Sequence, residues 1–282
     1  MSTATFLPHS NVSGSLQTGE ENIILELDQP VDIVAPKLVF IVPYRDREQQ
    51  QLFFSSHMKK IMEDVPESDY RIYYVHQNDK REFNRGALKN IGFLVMKEKY
   101  PNDYKNITFI FNDVDTMPYT KNFLNYETTF GSVKHFYGYK YTLGGIVSIK
   151  GSDFEKINGF PNFWAWGYED NLLQFRVLAA NIQIDRSVFY PIMDKNIMHM
   201  NDGIVRSVNR GEFDRYMSNT PEGINTINSL QYTIDETTEF IDVTHFLTGV
   251  VPNMGLKSEF DLRHGTVPFK SNRFRPRMRM MM

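Results

Sequence analysis

The sequence predicts an α/β fold in which a mostly parallel sheet is flanked by helices. Three short runs, 38–42, 70–75 and 107–111, have the apolar and aromatic composition of buried strands. The segments between them are long enough for helices that cross from one strand to the next. Strand–helix–strand–helix–strand at this spacing is typical of parallel sheets with right-handed crossovers, whereas the second half of the chain is less regular.

The helices can be justified in chain order. Pro43 closes the first strand, and the polar stretch 46–63 that follows is compatible with a helix. Asn84 is a residue type that caps helices, so a second helix is predicted after it. The apolar positions of this helix recur at spacings of three and four: Leu88, Ile91 and Val95. A later helix is predicted from about 169 to 180.

Composition excludes several classes of protein. The chain has 282 residues, a formal net charge of −3 and no cysteine. The near-neutral charge argues against nucleic-acid binding, which usually needs a basic face. Without cysteine, disulfides, thiolate metal sites and a cysteine nucleophile are excluded. Because no run approaches the ~18–20 apolar residues of a membrane-spanning helix and no signal peptide is recognisable, a cytoplasmic protein is predicted.

Three parts are predicted along the chain. Residues 1–36 are a polar N-terminal appendage with a short strand at 23–27, and residues 37–250 are the main domain. Residues 251–282 are a C-terminal extension, whose basic, methionine-rich tail from Lys270 is predicted to be disordered. No role follows from the sequence of either end.

The first candidate site is Asp113-Val114-Asp115, directly after the third strand. Loops after parallel strands open at the carboxyl edge of the sheet, where ligands usually bind. Alternate side chains of an extended chain share a side, so the two carboxylates converge and repel each other. A divalent cation is their usual compensation, which predicts a metal or nucleotide site. The alternative is a turn or helix cap made by the aspartates.

The second candidate site holds both tryptophans of the chain, Trp164 and Trp166, next to Glu169 and Asp170. Trp stacks against the apolar face of a sugar ring, and a carboxylate beside it accepts a hydrogen bond from a hydroxyl. A carboxylate close to a loop that bears Gly167 is suited to act as a general base. The alternative is helix capping together with aromatic core packing.

Single residues elsewhere have side chains suited to metals or phosphates. His199 is a common type of ligand for divalent transition metals, and the thioether of Met198 is a weaker one. The guanidinium groups of Arg45, Arg47 and Arg85 suit bidentate phosphate contacts. A structural histidine and solvated surface arginines are the alternatives.

Long motifs follow one another between residues 38 and 243. They are 40–47 (FIVPYRDR), 83–93 (FNRGALKNIGF), 111–115 (FNDVD), Gly144-Gly145 and 157–170 (INGFPNFWAWGYED), with weaker echoes at 213–215 and 228–230. With these motifs in this order, the chain resembles the β-1,4-galactosyltransferase family, metal-dependent inverting enzymes with the GT-A fold. The resemblance implies a Rossmann-like sheet followed by a less regular, acceptor-binding second half.

The resemblance also implies roles for individual residues. The donor is a UDP-sugar, the acceptor is a glycan or glycoconjugate, and Mn²⁺ is bound by Asp115 and His199. The nucleotide-sugar site is implied to contain Pro43, Tyr44, Arg45, Arg47, Phe83, Arg85, Asp113, Thr142, Gly144 and Gly145. Trp166 is implied to lie on a lid over the donor, and Glu169 and Asp170 to lie in the acceptor site, with Asp170 as the general base.

The chain also departs from the family's pattern. Asn171 replaces a third acid, so acceptor recognition is expected to differ. Asn196 stands at the spacing of a methionine ligand, which leaves Met198 or Asn196 as the third metal ligand. Thr142 stands where the family has a tyrosine that restricts the donor pocket, so galactose or N-acetylgalactosamine is the expected sugar, and glucose stays open. The absent anchor and cysteines predict a soluble, divergent relative, such as a microbial or viral protein.

Two alternative functions stay open at the level of sequence. The same fold could serve as a non-catalytic carbohydrate-binding protein, for which the departures at Asn171 and at the third metal ligand are the support. A metal beside a diphosphate could also activate water, which would make the chain a hydrolase of sugar nucleotides.

Overall fold

The computed structural model describes residues 34–200 and 203–269 of the chain. The strand predicted at 23–27 and the tail predicted from Lys270 lie outside the described residues. The described residues form strands and α-helices in the order β1 (Leu38–Tyr44), α1 (Glu48–Ile61), β2 (Tyr70–Gln77), α2 (Arg85–Lys99), β3 (Thr108–Asn112), β4 (Thr116–Pro118), β5 (Ser132–Gly138), β6 (Ile146–Lys150), α3 (Gly151–Lys156), α4 (Glu169–Ala179), β7 (Gln183–Asp185), β8 (Tyr190–Pro191), β9 (Ile197–His199), β10 (Val205–Asn209), α5 (Arg210–Met217), β11 (Asn228–Asp235), β12 (Phe240–Leu247) and β13 (Lys257–Asp261).

A central sheet organises the described part of the chain. Its strand order is β11-β12-β2-β1-β3-β6-β5-β7, and β8 also pairs with β5. Strands β12, β2, β1 and β3 run parallel to one another, whereas the β11–β12, β3–β6 and β5–β6 pairings are antiparallel. The predicted α/β fold and its mostly parallel sheet are confirmed.

The elements predicted from the first half of the sequence are confirmed, with ends that differ by a few residues. The three predicted strands correspond to β1, β2 and β3, and the two predicted helices to α1 and α2. Asn84 caps α2, since its side-chain oxygen accepts a hydrogen bond from the amide of Ala87 at 2.9 Å. The helix predicted near 169–180 is α4. The sequence did not predict β12, which adds to the sheet beside β2 from far along the chain.

Strand β1 is buried because both faces of the sheet are covered. Val39 and Ile41 belong to the apolar cluster on the α2 side, and Phe40 and Val42 to the cluster on the α1 side, with Phe54. Alternate side chains of a strand face opposite sides, so a continuous apolar run is what a strand between two layers requires. The core fixes the sheet and its helices, and polar residues gather where the strands end.

Two short ribbons lie beside the central sheet. Strand β4 pairs antiparallel with β9, which sets Thr116 opposite His199, and β10 pairs antiparallel with β13. Strand β13 comes from the predicted C-terminal extension, but the division of the chain into three parts stays a prediction. Over residues 34–200 and 203–269, no helix has the length and apolar character needed to cross a membrane. The cytoplasmic location also stays a prediction.

Candidate active site

A cleft of about 560 Å³ opens at the carboxyl edge of the sheet. It is lined by Pro43 near the end of β1, by Arg85 at the start of α2 and by Asp113 directly after β3. The predicted site residues that line it are Pro43, Arg45, Arg47, Phe83, Arg85, Asp113, Asp115, Thr142, Gly144, Gly145, Trp166, Glu169, Asp170 and His199. The fold therefore brings together motifs that are widely separated in sequence.

Arg85, the first residue of α2, joins three carboxylates. Its Nη2 donates to Asp113 Oδ1 and Oδ2 at 2.6 and 2.7 Å, and its Nε donates to Oδ1 at 2.9 Å. Its Nη1 donates to Glu169 Oε1 at 2.7 Å and to both Asp170 oxygens at 2.9 Å. The fork of the guanidinium group matches the two oxygens of Asp113, which makes this contact geometrically specific. Arg85 thereby ties the end of β3 to the start of α4.

Burial and charge oppose each other in this cluster. Burial opposes ionisation of Asp113, but the charges of Arg85 and then Lys89 outweigh it and hold the pKa of Asp113 below its usual range. Burial, and after it the neighbouring Asp170, raises the pKa of Glu169. Burial alone would lower the pKa of Arg85, yet the three carboxylates raise it well above its ordinary value. Such opposed shifts in a cleft are typical of functional sites.

Asp170 lies directly against the backbone of the loop before β6. The Leu143 amide donates to the Asp170 carbonyl at 3.0 Å. A Cβ at Gly144 would lie 2.1 Å from Asp170 Oδ2, so glycine is needed there to leave room for the carboxylate. Thr142 is buried, and its hydroxyl donates to the Tyr139 carbonyl at 3.2 Å. Thr142 and Gly144 therefore form the wall of the cleft beside Asp170.

Asp115 and His199 approach each other because β4 and β9 are paired. Asp115 Oδ2 is 3.7 Å from His199 Nε2, and His199 Nδ1 is 3.0 Å from the Tyr137 hydroxyl. This separation would let one divalent cation contact both groups. A polar partner on the second ring nitrogen is the usual means of orienting a metal-binding histidine. Among the residues that the structure describes, no group of three His, Cys, Asp or Glu side chains converges to hold a metal.

Met198 and Asn196, the two alternatives for a third metal ligand, contact groups outside the cleft. Met198 packs against the apolar cluster on the α1 side, and strand alternation turns it away from the face that bears His199. Asn196 donates from its side chain to Asp194 Oδ1 at 2.9 Å. Neither residue lines the cleft as the structure describes it, so a ligand role for either stays a prediction.

The end of the cleft near β1 presents an arginine and an aromatic ring. Arg45 Cζ lies 5.3 Å from the centre of the Phe83 ring, and Arg45 Nη1 donates to the Arg81 carbonyl at 2.6 Å. A fixed aromatic ring beside a guanidinium group is a surface on which a planar base can stack. Tyr44, also predicted for this site, instead packs edge-on against His76 with ring centres 5.3 Å apart, outside the cleft. A nucleotide contact by Tyr44 stays a prediction.

The two tryptophans have different surroundings. Trp164 is buried, stacks on Phe246 with ring centres 5.3 Å apart, and donates from Nε1 to the Thr248 hydroxyl at 3.1 Å. The core-packing interpretation therefore applies to Trp164. Trp166 is half-buried and lines the cleft, with its amide donating to the Ser207 carbonyl at 2.8 Å.

Comparison with known proteins identifies the family. The N-terminal region of glycosyl transferase group 7 matches residues 26–127, and the N-terminal domain of galactosyltransferase matches residues 124–200. Beta-1,4-galactosyltransferase 1 of Bos taurus is 30% identical over 221 residues, which are 73% of this chain and 53% of that protein. Beta-1,4-galactosyltransferase 4 of Rattus norvegicus is 32% identical over 161 residues, 53% of this chain and 45% of that protein. The chain belongs to the β-1,4-galactosyltransferase family.

The match to this family covers only part of each relative. Beta-1,4-galactosyltransferase 7 of Drosophila melanogaster is 30% identical over 199 residues, 64% of this chain and 59% of that protein. The chain thus spans about half the length of these curated relatives. The catalytic domain of the Drosophila enzyme, solved with xylobiose, aligns with a TM-score of 0.58 over 77% of this chain and 96% of that domain, at 20% identity. This likeness confirms the GT-A fold.

The cleft also contains residues that sequence reasoning missed. The matched family regions end at residue 200, yet six later residues line the cleft: Val205, Arg206, Ser207, Leu262, Thr266 and Pro268. The pairing of β10 with β13 brings Leu262, Thr266 and Pro268 near the site, and no local sequence pattern predicts that pairing. Lys89 was also missed, although its position four residues after Arg85 places it on the same face of a helix.

Proposed function

We propose that the chain is an inverting glycosyltransferase that moves galactose or N-acetylgalactosamine from a UDP-sugar to a hydroxyl of a glycan or glycoconjugate, with Mn²⁺ bound. The observation that carries this proposal is the gathering of Asp113, Glu169 and Asp170 around Arg85, in the cleft that also contains the Asp115–His199 pair. Membership of the family supports the reaction class. The Drosophila relative was solved with manganese, UDP-Gal and xylobiose, which suggests the first substrates to test.

Asp115 and His199 are the residues proposed to hold the metal ion. Carboxylate oxygen and imidazole nitrogen suit Mn²⁺, and the 3.7 Å between the two donor atoms lets one ion contact both. With the ring hydrogen on Nδ1 and directed at Tyr137, the lone pair of His199 Nε2 is turned toward Asp115. When bound, the ion offsets the negative charge that develops on the departing UDP.

Asp170 is the proposed general base. It lies in the first turn of α4 and lines the cleft, where Arg85 Nη1 donates to both of its carboxylate oxygens. The acceptor hydroxyl gives its proton to Asp170 as its oxygen attacks the anomeric carbon of the donor. The bond from that carbon to the UDP oxygen breaks as the glycosidic bond forms on the opposite face, so the configuration inverts. Glu169, adjacent to Asp170, is proposed to bind an acceptor hydroxyl.

Trp166 and Thr142 are proposed to shape the space around the donor sugar. Trp166 is half-buried beside the cleft, where an indole ring can cover the donor and exclude water, the competing nucleophile. Thr142 presents a small side chain at the wall beside Asp170. A small side chain there leaves room for an N-acetyl group, so both donors belong in the first assay.

The test is release of UDP by the full chain from UDP-galactose, UDP-N-acetylgalactosamine and UDP-glucose. Each donor is offered with Mn²⁺ or EDTA, and with or without glucosamine-type, glucose and xyloside acceptors. We expect release that needs Mn²⁺ and increases with one acceptor, and a product whose anomeric configuration by NMR is opposite to that of the donor. Release that no acceptor increases would indicate a hydrolase, and sugar binding without release a carbohydrate-binding protein. Either result would overturn the proposal.

A further inference from the structure

Lys89 is a buried lysine beside the cluster formed by Arg85, Asp113, Glu169 and Asp170. It lies one turn after Arg85 on α2, and only 1% of its surface is exposed. Its Nζ is 3.6 Å from Asp113 Oδ1 and 3.8 Å from Asp170 Oδ1. It also lies 4.8 Å from the centre of the Phe160 ring. Burial, and after it the charge of Arg85, lowers the pKa of Lys89, whereas Asp113 and Asp170 oppose that shift. Lysine is almost never fully buried unless it is paired with a charged partner, so the two aspartates account for its position.

The number of charges in the cluster explains why a second cation is needed. Three carboxylates, those of Asp113, Glu169 and Asp170, are held by the single charge of Arg85. Glu169 is buried, and Asp113 and Asp170 are partly buried. Carboxylates removed from water without opposite charges are unfavourable, because each one loses hydration. With Lys89 in its charged form the cluster has two cations for three carboxylates, and protonation of Glu169 alone would make it neutral.

Arg85 and Lys89 differ in the carboxylates that they contact. Arg85 makes direct hydrogen bonds to all three carboxylates. Lys89 lies 3.6 Å from Asp113 and 3.8 Å from Asp170, and its side chain is buried. The centre of the Phe160 ring lies 4.8 Å from the ammonium nitrogen, within the range of a cation–π contact.

We propose that Lys89 is a positioning residue for transfer: it balances the charge of the carboxylate cluster and holds Asp170 in place for proton abstraction. This inference rests on the proposed function, because it assigns a role within that reaction. Lys89 touches no substrate. It acts through Asp170, so its removal affects the chemical step more than donor binding.

The first test is Lys89→Met, which keeps the length and apolar stem of the side chain and removes the charge. We expect kcat to fall roughly 10- to 100-fold, as for a displaced catalytic group, at an acceptor concentration well above KM. The KM for the UDP-sugar is expected to change by less than about threefold, because the nucleotide contacts are left in place. The matched control is Lys97→Met on the same helix, where the lysine pairs with Glu155 at 2.5 Å outside the cleft. It should leave kcat unchanged.

The second test separates charge balance from simple damage to the fold. Glu169→Gln removes one carboxylate charge and by itself lowers activity through the acceptor site. If Lys89 acts by balancing charge, the Lys89→Met/Glu169→Gln double variant is more active than the product of the two single effects predicts. A double variant in which the two effects simply multiply, or a Lys89→Met enzyme with wild-type kcat, would overturn the inference. If the wild-type chain transfers no sugar at all, the proposed function fails and this inference fails with it.

Discussion

Two polar clusters of opposite kinds meet near the amino-terminal end of helix α2. One is the charged cluster of Arg85 and Lys89 with three carboxylates. The other is a network of neutral amides, Asn84, Asn90 and Asn162, which we call the amide network. The two clusters meet the helix within a few residues of each other, yet one is charged and the other is neutral.

The asparagines of the amide network form hydrogen bonds with one another and with nearby backbone groups. Asn90 donates to the Phe160 carbonyl at 2.8 Å and to Asn162 Oδ1 at 2.9 Å, and it accepts from the Phe160 amide at 2.9 Å. Asn84 donates to the Asn162 carbonyl at 3.1 Å, and Asn162 donates to the Gly223 carbonyl at 2.9 Å. These bonds fasten the loop that leads into Trp166 and α4 to the start of α2.

The two clusters differ in whether all their buried polar atoms have hydrogen-bond partners, and this difference indicates a structural role for one and a functional role for the other. In the described part of the chain, buried polar atoms without a partner include Glu169 Oε2 but no side-chain atom of the three asparagines. A satisfied neutral network stabilises one conformation and has nothing left to offer a ligand. A cluster with more carboxylates than cations retains capacity for a proton, a metal or a substrate. We therefore expect changes in the amide network to reduce stability, and changes in the charged cluster to reduce activity.

The largest expected effect is that of Asp170→Asn on activity. Removal of the general base should lower kcat by about 10²–10⁴-fold, while the binding of UDP and the melting temperature stay close to wild type. Transfer rate, UDP titration and thermal unfolding measure the three quantities. The control is Asp214→Asn, because Asp214 is an exposed carboxylate paired with Arg210 on α5. A fully active Asp170→Asn enzyme would show that the charged cluster is structural as well.

The opposite result is expected for Asn90→Leu in the amide network. This change leaves the Phe160 amide, the Phe160 carbonyl and Asn162 Oδ1 buried without their partner. Each such group costs roughly 1–3 kcal/mol, so the free energy of unfolding should fall by at least about 3 kcal/mol. Denaturant unfolding measures this loss. At a temperature where the variant is folded, kcat should stay near that of wild type, and a loss below about 1 kcal/mol would contradict a scaffold role.

Gly86→Ala tests whether the two clusters are mechanically connected. A Cβ on Gly86 would lie 2.1 Å from the Pro161 carbonyl oxygen, so the helix start and the loop must move apart. Overpacking of this kind costs about 1–3 kcal/mol. Because Arg85 precedes Gly86, the same movement should displace the guanidinium group from Asp170 and lower kcat in the folded enzyme. Unaltered kcat in a destabilised variant would show that the clusters are independent.

Features of the two clusters could be predicted where neighbouring residues in the sequence form a pattern, and not where residues far apart in the sequence come into contact. The buried run of β1 and the cap at Asn84 are local patterns, and both were predicted. Arg85, Asp113, Glu169 and Asp170 were predicted one by one, but not their joining, because Arg85 finds partners 28, 84 and 85 positions away.

Other parts of the site lacked a usable local signal. A lysine in a helix is usually solvent-exposed, so the burial of Lys89 could be known only once Phe160 and Asp170 were placed around α2. Trp164 and Trp166 are two positions apart in one motif, and only the structure shows that the first packs in the core and the second lines the cleft. The wall that includes Leu262 depends on the pairing of β10 with β13, for which the sequence offers no turn or repeat.

The smallest expected effect is a difference between the two clusters in how the free energy of unfolding depends on pH. Burial raises the pKa of Glu169 in the folded chain above its unfolded value, so the protein loses stability as pH rises through that raised pKa. The side-chain amide of a Glu169→Gln variant cannot ionise and keeps the hydrogen bond from Arg85, so the variant should be as stable as wild type in acid and more stable at higher pH. The free energy of unfolding of both proteins, measured from acid to mildly alkaline pH, tests this.

The loss caused by Asn90→Leu should instead be equal at every pH, because no member of the amide network titrates. A constant difference between Glu169→Gln and wild type would mean that the cluster is already neutralised by its own cations.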